Sequence, residues 1–187
     1  MAATLLALLL AAASSEGKTY AVDPATSTVR YHVVHKFHSV TGTSSTIEGK
    51  AVLRPDGQAI AMVRIPMASF DSGDRNRDSN MREAVDAARH PFVVLKGAMR
   101  LGAELPAAAR ALTVETRMEG EVELHGVRKS VVVPLQIQLS PDGTARARGS
   151  FTVSLDAFGI ERPSLLFVKI DDACRIEVDL ALREGKS

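Results

Sequence analysis

The chain has 187 residues, 45% of them hydrophobic, with 23 Lys and Arg against 22 Asp and Glu for a net charge of +1. That is enough chain for one domain with a real core and too little for two, and its composition excludes a disordered protein. The charge balance gives no support to a nucleic-acid partner, which needs a concentrated basic surface.

Residues 1–15 open the chain with an uncharged apolar stretch from Ala2 to Ala13. A helix needs roughly 20 such residues to cross a bilayer core of ~30 Å, so this stretch does not span. It suits the apolar core of a secretory signal peptide, with small residues for cleavage near Ala13 to Ser15, although no Lys or Arg precedes it. A periplasmic or secreted protein is expected, with one domain over residues 19–183. No Cys follows the stretch, which argues against a lipid-modified N-terminus.

Beyond it, apolar and polar residues alternate with the period of half-buried strands. Thr28 to His38 reads as the first long strand. Glu48 to Pro55 and Ala59 to Phe70 flank the turn Pro55-Asp56-Gly57 and read as a hairpin. A polar segment from Phe70 to Pro91 then interrupts the pattern. Within it Asp78, Met81, Val85 and Ala88 fall at helical spacing, so a helix is expected over 78–89, capped by Asp78 and ended by Pro91. Phe92 to Met99 returns to strand, followed by an Ala-rich loop. Leu112 to Leu124 and Ser130 to Leu139 alternate on either side of a tight turn at 125–129. In the second, Val131, Val133, Leu135, Ile137 and Leu139 share a face. Thr144 to Leu155 and Val168 to Leu182 are the last strands. The expected fold is all-β: an antiparallel closed barrel of about eight strands with one short helical insertion, a size that leaves room for one ligand.

Six Phe, two Tyr and no Trp mean that an apolar site here is lined mainly by Val, Leu, Ile, Ala and Met. The one cysteine, Cys174, excludes an internal disulfide. It shares strand parity with Ile176, Val178 and Leu180 and reads as a small buried hydrophobe rather than a catalytic thiol.

His32, His35 and His38 invite a metal reading. Taken as one strand, residues three apart point to opposite faces, and His32 and His38 lie about 20 Å apart at ~3.3 Å per residue. A zinc ion needs its ligand atoms within about 2.3 Å, so no metal site is expected. His35 shares the inward face with Val29, Tyr31, Val33 and Phe37. It reads either as a core histidine with a hydrogen-bond partner or as a polar contact for a ligand headgroup. Asp71, Asp74 and Asp78 alternate with Arg75, Arg77 and Arg82, a pattern of caps and surface ion pairs. There is no nucleophile turn, phosphate loop or Cys-x-x-Cys pair, and no cofactor is expected.

The ordered landmarks resemble the YceI-like family of bacterial polyisoprenoid-binding proteins with a lipocalin-like barrel. The resemblance spans about 20–182. It rests on Y-A-V-D-P-A-T-S-T-V-R-Y at 20–31, on His35, on Gly42 and Glu48-Gly49, and on I-P-M-A-S-F-D-S at 65–72. It continues through R-D-S-N-M-R at 77–82 and V-D-A-A-R-H-P-F-V-V-L-K at 85–96. The most specific stretches are G-E-V-E-L-H-G-V-R-K at 120–129 and F-T-V-S-L-D-A-F-G-I at 151–160. Asn80 departs from a usual His, Ala84-Val85 from a common Phe pair, and Thr43-Ser44 lacks the aromatic expected after Gly42.

The resemblance implies a non-catalytic carrier whose barrel holds a polyisoprenoid or another long-chain amphiphile, such as a quinone or a fatty-acid derivative. Strand parity then nominates wall residues. They are Val29, Tyr31, Val33, His35, Val63, Ile65, Met67, Val93 and Leu95, with Val122, Leu124, Val133, Leu135, Phe151, Val153, Ile176 and Val178. The rival readings are a lipid-processing enzyme using His35 and Asp71, and a stress-related structural or interaction protein with a filled core. A membrane-embedded barrel is disfavoured by Arg30, Lys36, Arg64, Glu121, Glu123, Gln136 and Gln138 on the outward faces. Whether two copies form a homodimer stays open.

Overall fold

The computed structural model describes residues 17–35, 38–102, 111–162, 164–165 and 168–185. The expected leader, Lys36, Phe37 and most of the Ala-rich loop lie outside them. The strands are β1 (Lys18–Val22), β2 (Thr28–His35), β3 (His38–Ser44), β4 (Glu48–Leu53), β5 (Gln58–Pro66), β6 (Phe92–Arg100), β7 (Leu112–Leu124), β8 (Val127–Leu139), β9 (Thr144–Ser154), β10 (Ser164–Leu165), β11 (Val168–Lys169) and β12 (Ala173–Glu184). The helix α1 spans Arg75–Ala84.

Neighbouring strands run antiparallel, and the circuit β1-β4-β5-β6-β7-β8-β9-β12 closes through a β1–β12 pairing. This is the expected eight-stranded barrel. β12 serves two partners along one edge: Leu182–Glu184 pair with β1, and Arg175–Asp179 pair with β2. The chain steps from one partner to the other through Asp23–Ser27. Ser27, 1% exposed, holds the step. Its Oγ accepts from the Ala181 amide at 2.9 Å and donates to the Asp23 carbonyl at 2.7 Å. β3 extends the sheet past the closure and is tied back to the chain after β5, where Thr43 and Asp71 exchange backbone hydrogen bonds of 2.9 and 3.0 Å.

The parity of the long strands is as read. Met118 of β7 faces inward opposite Val133 of β8, and Leu135 and Ile137 are buried on the same face. Outward positions carry ion pairs such as Arg64–Glu48, Lys96–Glu121 and Arg128–Glu123 beside exposed apolar residues such as Val52, Ile60 and Met62. No helix among the described residues is long and apolar enough to cross a membrane.

Five local expectations are corrected. Thr28 to His38 is not one strand. β2 ends at His35 and the chain reverses, so that His38 lies directly across from His35. β5 stops at Pro66, whose ring removes a ladder donor, and Met67–Ser69 form a single 3₁₀ turn before Phe70. The helix runs over 75–84 rather than 78–89. Its cap is Asp74, whose carboxylate accepts from the Asn76 and Arg77 amides, and Asp86 at φ 49° turns the chain out of the helix. Val168 to Leu182 is broken as well: β11 pairs with β10 in a small separate hairpin, and β12 begins only at Ala173. The turn between β7 and β8 is tighter than 125–129. It uses only His125 and Gly126, both at positive φ, which matches the twist of a two-residue hairpin.

Candidate functional site

Each strand of the closed circuit points one face at a shared interior, so the size of those side chains sets whether the interior is full. It is not. Two cavities lie inside the barrel. A deep one of about 150 Å³ is walled by inward residues of β4 to β9 and β12, among them Ala51, Ala59, Ala61, Ala145 and Ala147, whose small side chains leave the space. A larger one of about 570 Å³ lies at the end of the barrel flanked by α1. Its lining mixes buried apolar residues with the exposed Asp74, Asn76 and Asn80, so it opens to solvent.

The mouth is built locally. Asp78, displaced from its expected capping role, is buried and accepts from both the Ser72 amide at 3.1 Å and the Ser72 hydroxyl at 2.6 Å. The Arg77 Nε in turn donates to the Ser72 Oγ at 3.0 Å. These bonds lock the first turn of α1 against the segment after β5 and place Arg77, Asn80, Met81 and Ala84 on the cavity wall. Opposite them, the β2–β3 hairpin contributes Tyr31, Val33, His35, His38 and Val40. On a third side Arg162 grips both oxygens of Asp156 and donates to the Ile170 carbonyl. That fixes the loop whose Ile160, with Ile170, completes the rim.

The predicted wall residues fall on these two cavities. Val29, Val63, Ile65, Leu95, Val122, Val133, Leu135, Phe151 and Val178 line the deep one. Tyr31, Val33, His35 and Met67 line the mouth. Val93, Leu124, Val153 and Ile176 border both. Phe37 lies outside the described residues. Asp71, the partner proposed for His35 in an enzymatic reading, is not on the wall. It is exposed, and its carboxylate accepts from the Gly73 amide at 2.7 Å. The antiparallel pairing of His35 with His38 removes the premise that set them on different faces of one strand, since both border the mouth. Among the described residues no group of three His, Cys, Asp or Glu could hold a metal ion.

The sequence reading did not nominate the α1 residues or Phe70. It also passed over the small residues of the deep cavity, where parity carried on along β4, β5 and β9 was the available signal. Cys174 is buried beside the mouth, and burial pushes its thiol up to about 12. Tyr31 is likewise pushed up to about 12, by burial first and then by the negative charge of Asp78.

A family model described as the YceI-like domain matches residues 20–182. The chain belongs to the YceI-like family. No curated protein matches it significantly in sequence. Among solved structures, a polyisoprenoid binding domain from Saccharophagus degradans, implicated in plant cell wall breakdown, superposes with a TM-score of 0.70 at 16% identity over 89% of this chain and 98% of that one. BcnA of Burkholderia cenocepacia gives 0.69 at 20% identity over 86% and 98%. The YCEI protein of Campylobacter jejuni gives 0.61 at 14% identity over 81% and 88%. These likenesses establish the fold.

Several landmarks of this YceI-like chain now have a physical reason. Asp23 and Ser27 hold the step along β12. Gly42 sits across from Tyr31, and a Cβ there would come within 2.2 Å of the ring. The departures at Asn80, Ala84 and Val85 all border the mouth, where smaller side chains widen it.

Proposed function

We propose that this protein is an exported carrier that holds a polyisoprenoid, or a similar long-chain amphiphile such as a quinone or a fatty-acid derivative, in its barrel without transforming it. The observation that carries this reading is the pair of adjoining cavities inside a closed barrel, one almost wholly apolar and one with a polar, solvent-open rim. An amphiphile matches that division, with its tail in the apolar interior and its headgroup among Arg77, Asn76, Asn80, His35 and His38. The name of the Saccharophagus relative, a polyisoprenoid binding domain, supports the same ligand class. The apolar leader at 1–15 supports export to the periplasm or beyond.

Magnitudes indicate which part of the ligand dominates. Burying a methylene contributes about 0.8 kcal/mol, whereas a net hydrogen bond contributes about 0.5–1.5 kcal/mol. A tail of several isoprene units therefore outweighs any headgroup contact, and a shared tail lets related amphiphiles compete.

Native mass spectrometry of the purified domain, followed by organic extraction, tests the reading. A co-purifying isoprenoid or quinone near one-to-one stoichiometry is the expected result. A ligand-free mass that also takes up no added octaprenyl or quinone compound would overturn it. Substituting His35→Ala is expected to leave the bound molecule chemically unchanged, whereas an enzyme would accumulate its substrate.

A further inference from the structure

Where the two cavities meet, both are lined by the same side chains: Phe70, Val93, Leu124, Val153 and Ile176. Four of them come from β6, β7, β9 and β12, and the fifth from the turn after β5, so together they ring the barrel as a waist. Phe70 is the one aromatic residue among them and the one not held in a strand ladder. Its ring meets Tyr31 edge-on, with centroids 5.4 Å apart and planes at 63°. Tyr31 is in turn fixed on Gly42, where no side chain could fit beneath it. The backbone around Phe70 is pinned on both sides. The Met67 amide donates to the Pro91 carbonyl at 2.8 Å, and Asp71 pairs with Thr43. Phe70, 6% exposed, is thus held at the junction of the two cavities by its ring contact and by its backbone.

The volumes give the waist a consequence. About 570 Å³ in the mouth lies within the roughly 300–1,000 Å³ of ordinary small-molecule sites. The deep cavity, at about 150 Å³, matches the size of an apolar void of about 150 Å³ that takes a single benzene. A short amphiphile fits the mouth alone. A long one has to send its tail past the waist.

We infer that Phe70 is a gate that divides the barrel into two chambers and sets the ligand chain length the protein prefers. The inference rests on the carrier reading above. It concerns which chains are held and not whether one is held.

Two prenols, farnesol as the short probe and solanesol as the long one, test it by native mass-spectrometric titration of the purified domain. A methylene accommodated in an apolar pocket is worth roughly 10–200-fold in discrimination. Replacing Phe70→Leu is therefore expected to raise solanesol affinity about tenfold or more relative to farnesol. Ala61→Leu makes the opposite change at an independent site. Ala61 faces the deep chamber between Ala51 and Gly97, where both neighbours are small. It is expected to weaken solanesol about tenfold and leave farnesol unmoved. Should Phe70→Leu fail to fold, Phe70→Met makes the same comparison with a slimmer side chain at the waist, and Ala61→Leu shows whether the tail reaches the deep chamber; unchanged solanesol affinity in both overturns the gate. If the unsubstituted protein binds both prenols and the variants move both affinities alike or not at all, the gate is overturned and the carrier reading stands. If it binds neither prenol, the gate is overturned, and the carrier reading is decided separately by the co-purification and quinone-uptake test above.

Discussion

Ser27 shows how one side chain supports the closure of a barrel. The buried Ser27 hydroxyl stands at the point where β12 changes partner and satisfies the half-buried Ala181 amide. Ser27→Ala removes that acceptor while the amide stays in place. The expected cost is about 1–3 kcal/mol of stability, measured as a lowered urea midpoint with an unchanged slope. Cys174 is the opposite case, a reactive group silenced by its surroundings. With the thiol pushed up to about 12 by burial, almost none of it is thiolate near neutral pH. A thiol reagent should therefore label the native protein far more slowly than the urea-unfolded chain; equal rates would mean that Cys174 is accessible.

Among the elements, the β2–β3 hairpin depends most on a single small residue. Tyr31 covers Gly42 on the neighbouring strand, and a Cβ at that position would lie 2.2 Å from ring atom Cε1. Gly42→Ala must displace the ring or spread the strands. Overpacking of this kind costs about 1–3 kcal/mol. The double variant with Tyr31→Ala should recover part of that loss, a coupling that a thermodynamic cycle measures directly. The α1 boundary is a second lesson at this scale. Asp74 and Asp78 both satisfy the residue preference for a cap. What separates them is that Ser72, six positions before Asp78, folds back to donate to its carboxylate. That contact depends on the path of the chain after β5, which helical periodicity does not report.

The whole molecule is stitched between β9 and β12, where Arg146 makes two hydrogen bonds to the Asp179 carboxylate at 2.6 and 2.9 Å and Arg148 adds a third at 3.3 Å. The Arg146 bond holds the Asp179 carboxyl below the usual carboxylate range, against the smaller opposing effect of burial, and the Arg148 bond adds to it. A carboxyl depressed in the folded state binds its proton more readily when unfolded. Its contribution to stability is therefore full above the ordinary carboxylate value of about 3.9 and is lost as pH falls through the lower folded value. Asp179→Asn should flatten that part of the acid limb of the stability–pH profile, as followed by thermal unfolding. An acid limb of unchanged slope would show that other carboxylates set it.

Most strand positions and their parity were legible in the sequence because each depends on local alternation, although β1 was not read as a strand and Thr28 to His38 was read as one rather than two. Leu112 to Leu124 was placed to the residue, and Val133, Leu135 and Val153 were assigned inward from spacing alone. By itself the sequence thus determined which face of each strand is apolar, and with that the class of fold. Only the tertiary structure decided that β2 and β3 pair as separate antiparallel strands and how β1 and β2 share one edge of β12. It also decided which loop residues, such as Phe70 and Ile160, enter the core, and how much space the interior keeps. Alternation reports one strand at a time, whereas a cavity is what remains after side chains from many strands meet. Neither the space over the alanines nor the waist at Phe70 is visible until those side chains face one another.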